Sequence, residues 1–179
     1  MKPNTKQILR VLNVIVWIIF FGLCIKTGAI LYSFFVSLVI NPVATHNLYM
    51  GLNLYDLARY SQGHYVAVVS IIIICTALKA FIFYLAMKVY LKINFMNPFS
   101  NDVAVLIARI GYSSLGVGLL TFILSLYCEW LKGKGVSFPD SQAYLGGTGE
   151  FLFIGGIVFM ISQVFKRGIE IQSENELTV

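Results

Sequence analysis

Residues 11–40 read VLNVIVWIIFFGLCIKTGAILYSFFVSLVI, and this stretch decides the fold class. Its only charged side chain is that of Lys26. About 20 helical residues cross the roughly 30 Å apolar layer of a bilayer, because an α-helix rises about 1.5 Å per residue. The stretch is too long for the apolar part of a signal peptide, and no small-x-small cleavage site ends it. It therefore predicts an uncleaved first transmembrane helix.

Similar apolar runs recur along the 179-residue chain, of which 58% is hydrophobic and only 12% charged. Soluble domains carry about twice that charged fraction. The mean hydropathy of +0.81 excludes a soluble globule, a disordered tail and a disulfide scaffold. We predict an all-α polytopic membrane protein with four transmembrane helices in a compact bundle, forming one domain over residues 1–179. The predicted spans are about 11–40, 66–90, 103–130 and 148–166, followed by a tail at 167–179.

The distribution of Lys and Arg predicts the orientation of these spans. Seven or eight basic residues lie in the N-terminal segment, the middle connection and the tail, whereas the first and third loops contain three. Loops rich in Lys and Arg stay in the cytoplasm, so both termini are expected there. The 13 basic residues are scattered rather than clustered on one face, which argues against direct nucleic-acid binding.

Small residues recur at helical spacing in the third span. Gly111, Ser114, Gly118, Thr121 and Ser125 are separated by three and four residues alternately, which places them on one face of a helix. Membrane helices pack through such small residues because their backbones can then approach closely. We interpret the stripe as a seam between helices of one molecule, and a homodimer seam is the alternative.

Two charged residues are expected at similar depth in the outer half of the membrane. Lys26 lies ~21 Å above the cytoplasmic boundary, and Glu150, counted outward from Lys166, lies ~24 Å above it. The apolar run at 151–165 is too short to span alone, so residues 144–150 must dip into the membrane or the bilayer must thin. A buried lysine is costly without a partner. We therefore predict an ion pair between Lys26 and Glu150, with independent snorkelling as the alternative.

Lys79 is a third intramembrane charge, ~13 Å above Lys88. No acidic residue of the other spans matches that depth. We interpret Lys79 as snorkelling to the cytoplasmic side, and a hydrated cavity or a ligand contact is the alternative.

Motifs for catalysis and cofactor binding are missing from the sequence, including nucleophile elbows, phosphate-binding glycine loops and paired histidines on a helix. Cys24, Cys75 and Cys128 lie in apolar runs without metal-ligand spacing, which is typical of buried thiols. His46 and His64 flank Asp56 in the first loop, but two loop histidines 18 residues apart are weak support for a metal site. We predict a non-enzymatic protein without cofactor or metal.

Two stretches of the chain resemble a known family. The first is Asn97-Pro98-Phe99-Ser100, which is followed by an Ile-Ala-Arg-Ile run at 107–110, and the second is Phe165-Lys166-Arg167-Gly168 with the closing residues 174–179. They resemble the four-span bacterial membrane family called domain of unknown function 2975. The resemblance implies a multi-pass protein of the bacterial cytoplasmic (inner) membrane, often encoded beside a small Cro-type helix-turn-helix regulator. It implies no activity and no site residues.

These observations lead to two functional hypotheses. The first is a regulatory or sensory membrane protein whose cytoplasmic surface binds the helix-turn-helix regulator. The second is a small transporter or transporter accessory subunit that uses Lys26, Lys79 and Glu150. The candidate docking residues of the first hypothesis are Pro98, Phe99, Glu170, Glu174 and Glu176.

Overall fold

The computed structural model describes the backbone of residues 3–93, 99–138 and 146–176. Every regular element among these residues is helical, which confirms the all-α prediction. In chain order the elements are α1 (Pro3–Val39), a 3-10 helix (Pro42–His46), α2 (Tyr55–Tyr60), α3 (Gln62–Lys92), α4 (Asn101–Gly133) and α5 (Thr148–Glu176).

Four of these helices, α1, α3, α4 and α5, are long and apolar enough to cross a membrane. The chain is therefore a multi-pass membrane protein whose exposed apolar side chains contact lipid. The helices extend past the predicted apolar spans at several ends, because polar residues continue the same helix outside the apolar run. The largest extension is in α5, which begins at Thr148 and continues to Glu176.

The spanning helices pack antiparallel and in chain order. Phe20, midway along α1, contacts Tyr84 in the second half of α3, while Ser37 Oγ near the end of α1 and Tyr65 Oη near the start of α3 share a 2.6 Å hydrogen bond. The start of α1 and the end of α5 therefore lie at one end of the molecule, the terminal end. Residues 40–61 lie at the opposite end, the loop end. Contacts between spanning helices that are not neighbours in this order are sparse, so α1 packs mainly on α3 and α5 mainly on α4.

The seam between α4 and α5 is built on glycine. A Cβ atom added to Gly111 would lie 3.0 Å from the Phe159 backbone nitrogen, and one added to Gly155 would lie 2.8 Å from the Leu115 backbone nitrogen. Gly118 meets Leu152 as closely. Part of the predicted small-residue stripe thus packs against another helix of the same molecule, as our main interpretation expected.

The loop end contains the main buried core. Leu48, Leu52, Leu54 and Leu57 from the first loop are at most 3% exposed. They pack with residues of α3, α4 and the third loop, namely Tyr65, Val68, Val69, Leu124, Leu131 and Val136. The first loop therefore covers the ends of two spanning helices.

The α5 helix starts deep beside α4. Gly118 contacts Leu152, and Thr148 precedes Leu152 by four residues, so in the antiparallel pair Thr148 lies level with residue 122. The α4 helix continues to Gly133, which is 11 residues or about 16 Å further. The prediction that the chain enters the fourth span inside the membrane agrees with this offset, although residues 144 and 145 lie outside the described part of the chain.

Candidate intramembrane site

Lys79 reaches the deep start of α5. Its Nζ donates a 3.1 Å hydrogen bond to the Gly146 carbonyl oxygen and lies 4.8 Å from the centroid of the Phe151 ring. The Cα–Cβ bonds of a helix tilt toward its N-terminus, and α3 begins at the loop end, so the Lys79 side chain leans toward the loop end. Our interpretation that Lys79 snorkels toward the terminal end is therefore wrong.

Lys26 and Glu150 are the two other charges of this site, and both act on Lys79. The positive charge of Lys26 repels the Lys79 ammonium, and the negative charge of Glu150 attracts it. Lys26 is half-buried, whereas Glu150 is exposed in the first turn of α5. A carboxylate is favourable there because the N-terminus of a helix carries partial positive charge.

The predicted direct ion pair between Lys26 and Glu150 is not formed. The described side chains of Lys26 and Glu150 are not paired with each other, whereas Lys92 pairs with Asp102 and Arg167 pairs with Glu170. The depth estimate treated the helices as parallel rods and left out the direction in which each side chain leaves its helix. Instead, the charges of Lys26 and Glu150, which we expected to pair with each other, both interact with the charge of Lys79.

Gly146 is a residue of the candidate site that our sequence analysis did not name. The available signal was the short apolar run at 151–165, which requires the preceding backbone to lie inside the membrane. Backbone carbonyls at that depth need donors, and Lys79 is a donor that could have been matched to them.

The site can hold or attract charge, but it lacks the arrangement of a nucleophile with an oriented base. Cys75, one turn before Lys79, is 3% exposed, as expected for a buried thiol. The two histidines of the first loop lie in separate aromatic contacts: His46 stacks on Tyr55 at 4.1 Å, and His64 Nδ1 hydrogen-bonds to Tyr127 Oη. Neither belongs to a group of three metal-ligating side chains in the part of the chain that the structure describes.

A second candidate surface lies at the terminal end, around Phe99. The Phe99 ring packs against Phe165 at 5.3 Å between centroids, and a Cβ atom on Gly168 would lie 2.6 Å from Phe99 Cδ1. Ser100 caps α4 by accepting a hydrogen bond from the Val103 nitrogen. The segment before α4 is thereby attached to α5. Pro98 lies outside the described residues.

The predicted tail, from residue 167 onward, continues α5 as a polar helix as far as Glu176. Glu170 accepts a 2.7 Å hydrogen bond from Arg167 Nη1, and the charge of Glu174 also attracts Arg167. Both partners of the Arg167–Glu170 pair are well exposed, at 63% and 59%. The acidic residues are thus partly compensated within their own helix. The Glu176 side chain is not among the described ones.

The chain belongs to the family described as "Protein of unknown function (DUF2975)", whose model matches residues 46–179. This match confirms the resemblance that the stretches around residues 97–110 and 165–179 suggested. No curated protein and no solved structure matches the chain.

Proposed function

We propose that this member of the DUF2975 family is a non-enzymatic regulator in the bacterial cytoplasmic membrane, with both termini in the cytoplasm. Its terminal end would bind a small Cro-type helix-turn-helix transcription factor and release it when the state of the membrane changes. The excess of Lys and Arg at the terminal end supports the orientation. The remainder of the proposal depends on the end of α5.

The observation that carries the proposal is the polar extension of α5. The apolar run ends at residue 165, and the helix continues for eleven further residues to Glu176. Such an extension lies about 16 Å along the axis beyond the apolar run. Its base is held by the contact of Phe99 with Phe165 and Gly168. A helix fixed at its base presents a defined surface to a soluble protein.

The charge of that extension selects a basic partner. Glu170 and Glu174 are four residues apart and therefore lie on the same face of α5. Arg167 lies on the same face and attracts both carboxylates, so these three side chains together carry one net negative charge. A basic DNA-binding helix is complementary to this face, and binding to it would compete with binding to DNA.

Co-purification of the regulator encoded beside the protein tests the proposal. The full-length protein in detergent should retain the regulator, and the double variant Glu170→Gln with Glu174→Gln should retain at least fivefold less. Glu129→Gln, which removes an exposed carboxylate near the loop end, is the matched control. Equal recovery with all three proteins would contradict docking on α5. Charge substitutions are preferable to a deletion from residue 168, because Gly168 packs on Phe99.

The second candidate function is a small transporter or a transporter accessory subunit, which the cluster around Lys79 favours. The exposed carboxylate of Glu150 lies level with residue 120 of α4, about 15 Å inside Trp130, where lipid alone would not solvate it. Proton flux into vesicles containing the protein should fall with Lys79→Gln and Glu150→Gln, and not with Arg59→Gln at the loop end. Flux equal to that of empty vesicles would remove this candidate.

A further inference from the structure

A groove between α1 and α3 opens at the terminal end of the molecule, away from the Lys79 cluster and from the polar end of α5. Its volume is about 220 Å³. Its walls are mostly apolar. The α1 wall includes Leu12, Asn13 and Val16, and the α3 wall includes Ala86, Val89 and Tyr90.

The groove lies at the membrane depth where the first acyl carbons of a lipid lie, and its mostly apolar lining suits those carbons. Its α1 wall begins at Leu9 and ends two turns later at Val16, which is about 10 Å along the helix axis. It lies at the end of the apolar span, so its mouth meets the headgroup region. Because α1 packs mainly on α3, the groove is bounded by only these two helices.

Asn13 contributes a side-chain amide to the groove. Its Oδ1 is buried and has no hydrogen-bond partner in the described part of the chain, so this acceptor is available to a ligand. The χ2 torsion of asparagine is broad, and rotation about it can present either end of the amide to a ligand. An apolar groove filled only by hydrocarbon would leave this amide unsatisfied.

One described basic side chain, that of Arg10, lies beside the mouth of the groove. Arg10 is exposed and lies one turn outside Asn13 on α1, about 4.5 Å closer to the terminal end. Lys2 and Lys6 precede it in the sequence. Basic pockets between transmembrane helices bind anionic lipid headgroups. A phosphate at Arg10 would place the ester groups of the same lipid at the level of Asn13.

We propose that this groove is a binding site for one acyl chain of an anionic phospholipid. The phosphate binds Arg10, the ester region hydrogen-bonds to the Asn13 amide, and the first carbons of the chain lie against Val16 and Ala86. The positive charge of Arg10 beside the mouth complements a lipid phosphate, and the apolar walls and the depth of the groove match the acyl chain attached to that phosphate. The proposal does not depend on the regulator or transporter functions.

Native mass spectrometry of the purified full-length protein tests the site. The protein is exchanged into detergent containing equal amounts of phosphatidylglycerol and phosphatidylcholine with the same acyl chains, and the retained lipid is measured. We expect the wild type to retain phosphatidylglycerol preferentially. Arg10→Gln should lower that preference about fivefold, and Asn13→Leu should lower retention of both lipids about threefold. Lys134→Gln, which removes one positive charge at the loop end, is the matched control and should have no effect.

A steric variant separates the groove from the charge at its mouth. Ala86→Phe fills the groove, leaves Arg10 in place and should abolish retention of phosphatidylglycerol. Retention that Ala86→Phe leaves unchanged would place the lipid elsewhere and overturn the proposal, as would equal retention by the wild type and Arg10→Gln. A wild-type dimer that Ala86→Phe converts to a monomer would assign the groove to a second copy instead.

Discussion

Gly155 and Gly156 are neighbours in α5, yet only Gly155 packs against another helix. A Cβ atom at Gly155 would lie 2.8 Å from the Leu115 backbone nitrogen, whereas one at Gly156 meets nothing within 4 Å. Backbone cannot move aside as a flexible side chain can. Membrane helices are held together by close packing rather than by the hydrophobic effect, so the α4–α5 seam depends on the smallness of this residue.

We expect Gly155→Ala to destabilise the protein by about 1–2 kcal/mol, because overpacking typically costs more than the helix gains from alanine. Gly156→Ala is the matched control and should leave the stability unchanged or raise it slightly. Thermal unfolding of both variants in the same detergent measures the difference. Equal melting temperatures would show that the seam tolerates a methyl group.

Lys79 ties α3 to the backbone that precedes α5. Lys79→Met keeps the length of the side chain but removes the donor to the Gly146 carbonyl, which should destabilise the start of α5 by about 1.5–3 kcal/mol, the usual range for a hydrogen bond to a charged group. Hydrogen exchange of the amides at 148–152 should accelerate accordingly. In Arg59→Met, which alters a charge at the loop end, these amides should exchange as in the wild type. Unchanged exchange in Lys79→Met would mean that α5 is held without this contact.

At the scale of elements, α3 and α4 are joined near the loop end by a hydrogen bond between His64 and Tyr127. The two rings lie among further aromatic side chains: Tyr60 stacks near His64, and Tyr127 stacks on Trp130 at 5.9 Å. Aromatic residues with a polar tip suit the membrane interface. The hydrogen bond joins the start of α3 to the last turns of α4 and so favours one position of α3 along the axis of α4.

Tyr127→Phe removes that hydrogen bond and keeps the ring, so we expect a loss of about 1 kcal/mol. Tyr112→Phe is the matched control on the same helix, because Tyr112 is exposed and contacts Phe159 through its ring. Chemical denaturation of both variants in detergent gives the comparison. A loss as large in Tyr112→Phe would mean that the hydroxyl groups act through solvation rather than through His64.

The positions of the spanning helices could be predicted from the sequence, whereas the contacts of their polar residues could not. The apolar run at 11–40 is far longer than any buried soluble helix requires, and that length alone indicates a span. The partner of Lys79 depends on the offset of α5 along α4, which Gly118 and Leu152 set by contact. A hydropathy pattern predicts how deep each residue of a helix lies in the membrane. It does not predict how far one helix is shifted along its neighbour.

The contact of Phe99 with Gly168 escaped prediction for a similar reason. We named Phe99 as a docking residue because it lies in a connection between spans, and the structure shows that part of its ring packs inside the same molecule. Sequence position predicted that Phe99 lies at the terminal end, but not what it touches. The acidic residues of α5 are the stronger remaining candidates for docking.

At the scale of the whole molecule, the antiparallel order of the four spanning helices places Lys134 and Ser173 at opposite ends. We expect a cysteine at residue 134 to react with a membrane-impermeant maleimide in intact cells, and one at residue 173 only after permeabilisation. The native cysteines should react little with this reagent, since Cys75 and Cys128 are buried and Cys24 lies within a span. Labelling of residue 173 in intact cells would show that the predicted orientation is wrong and that the end of α5 lies outside the cytoplasm.

Because α5 starts about 16 Å short of the end of α4, we expect the stability of the protein to depend on the thickness of the surrounding bilayer. With Glu150 exposed about 15 Å below the level of Trp130, water and headgroups must fill a dimple beside α4. Short acyl chains form that dimple with little strain, whereas long saturated chains resist it. We therefore expect the melting temperature to fall as the protein is moved from 14-carbon to 20-carbon lipids, because the longer chains would weaken the packing of the fourth helix.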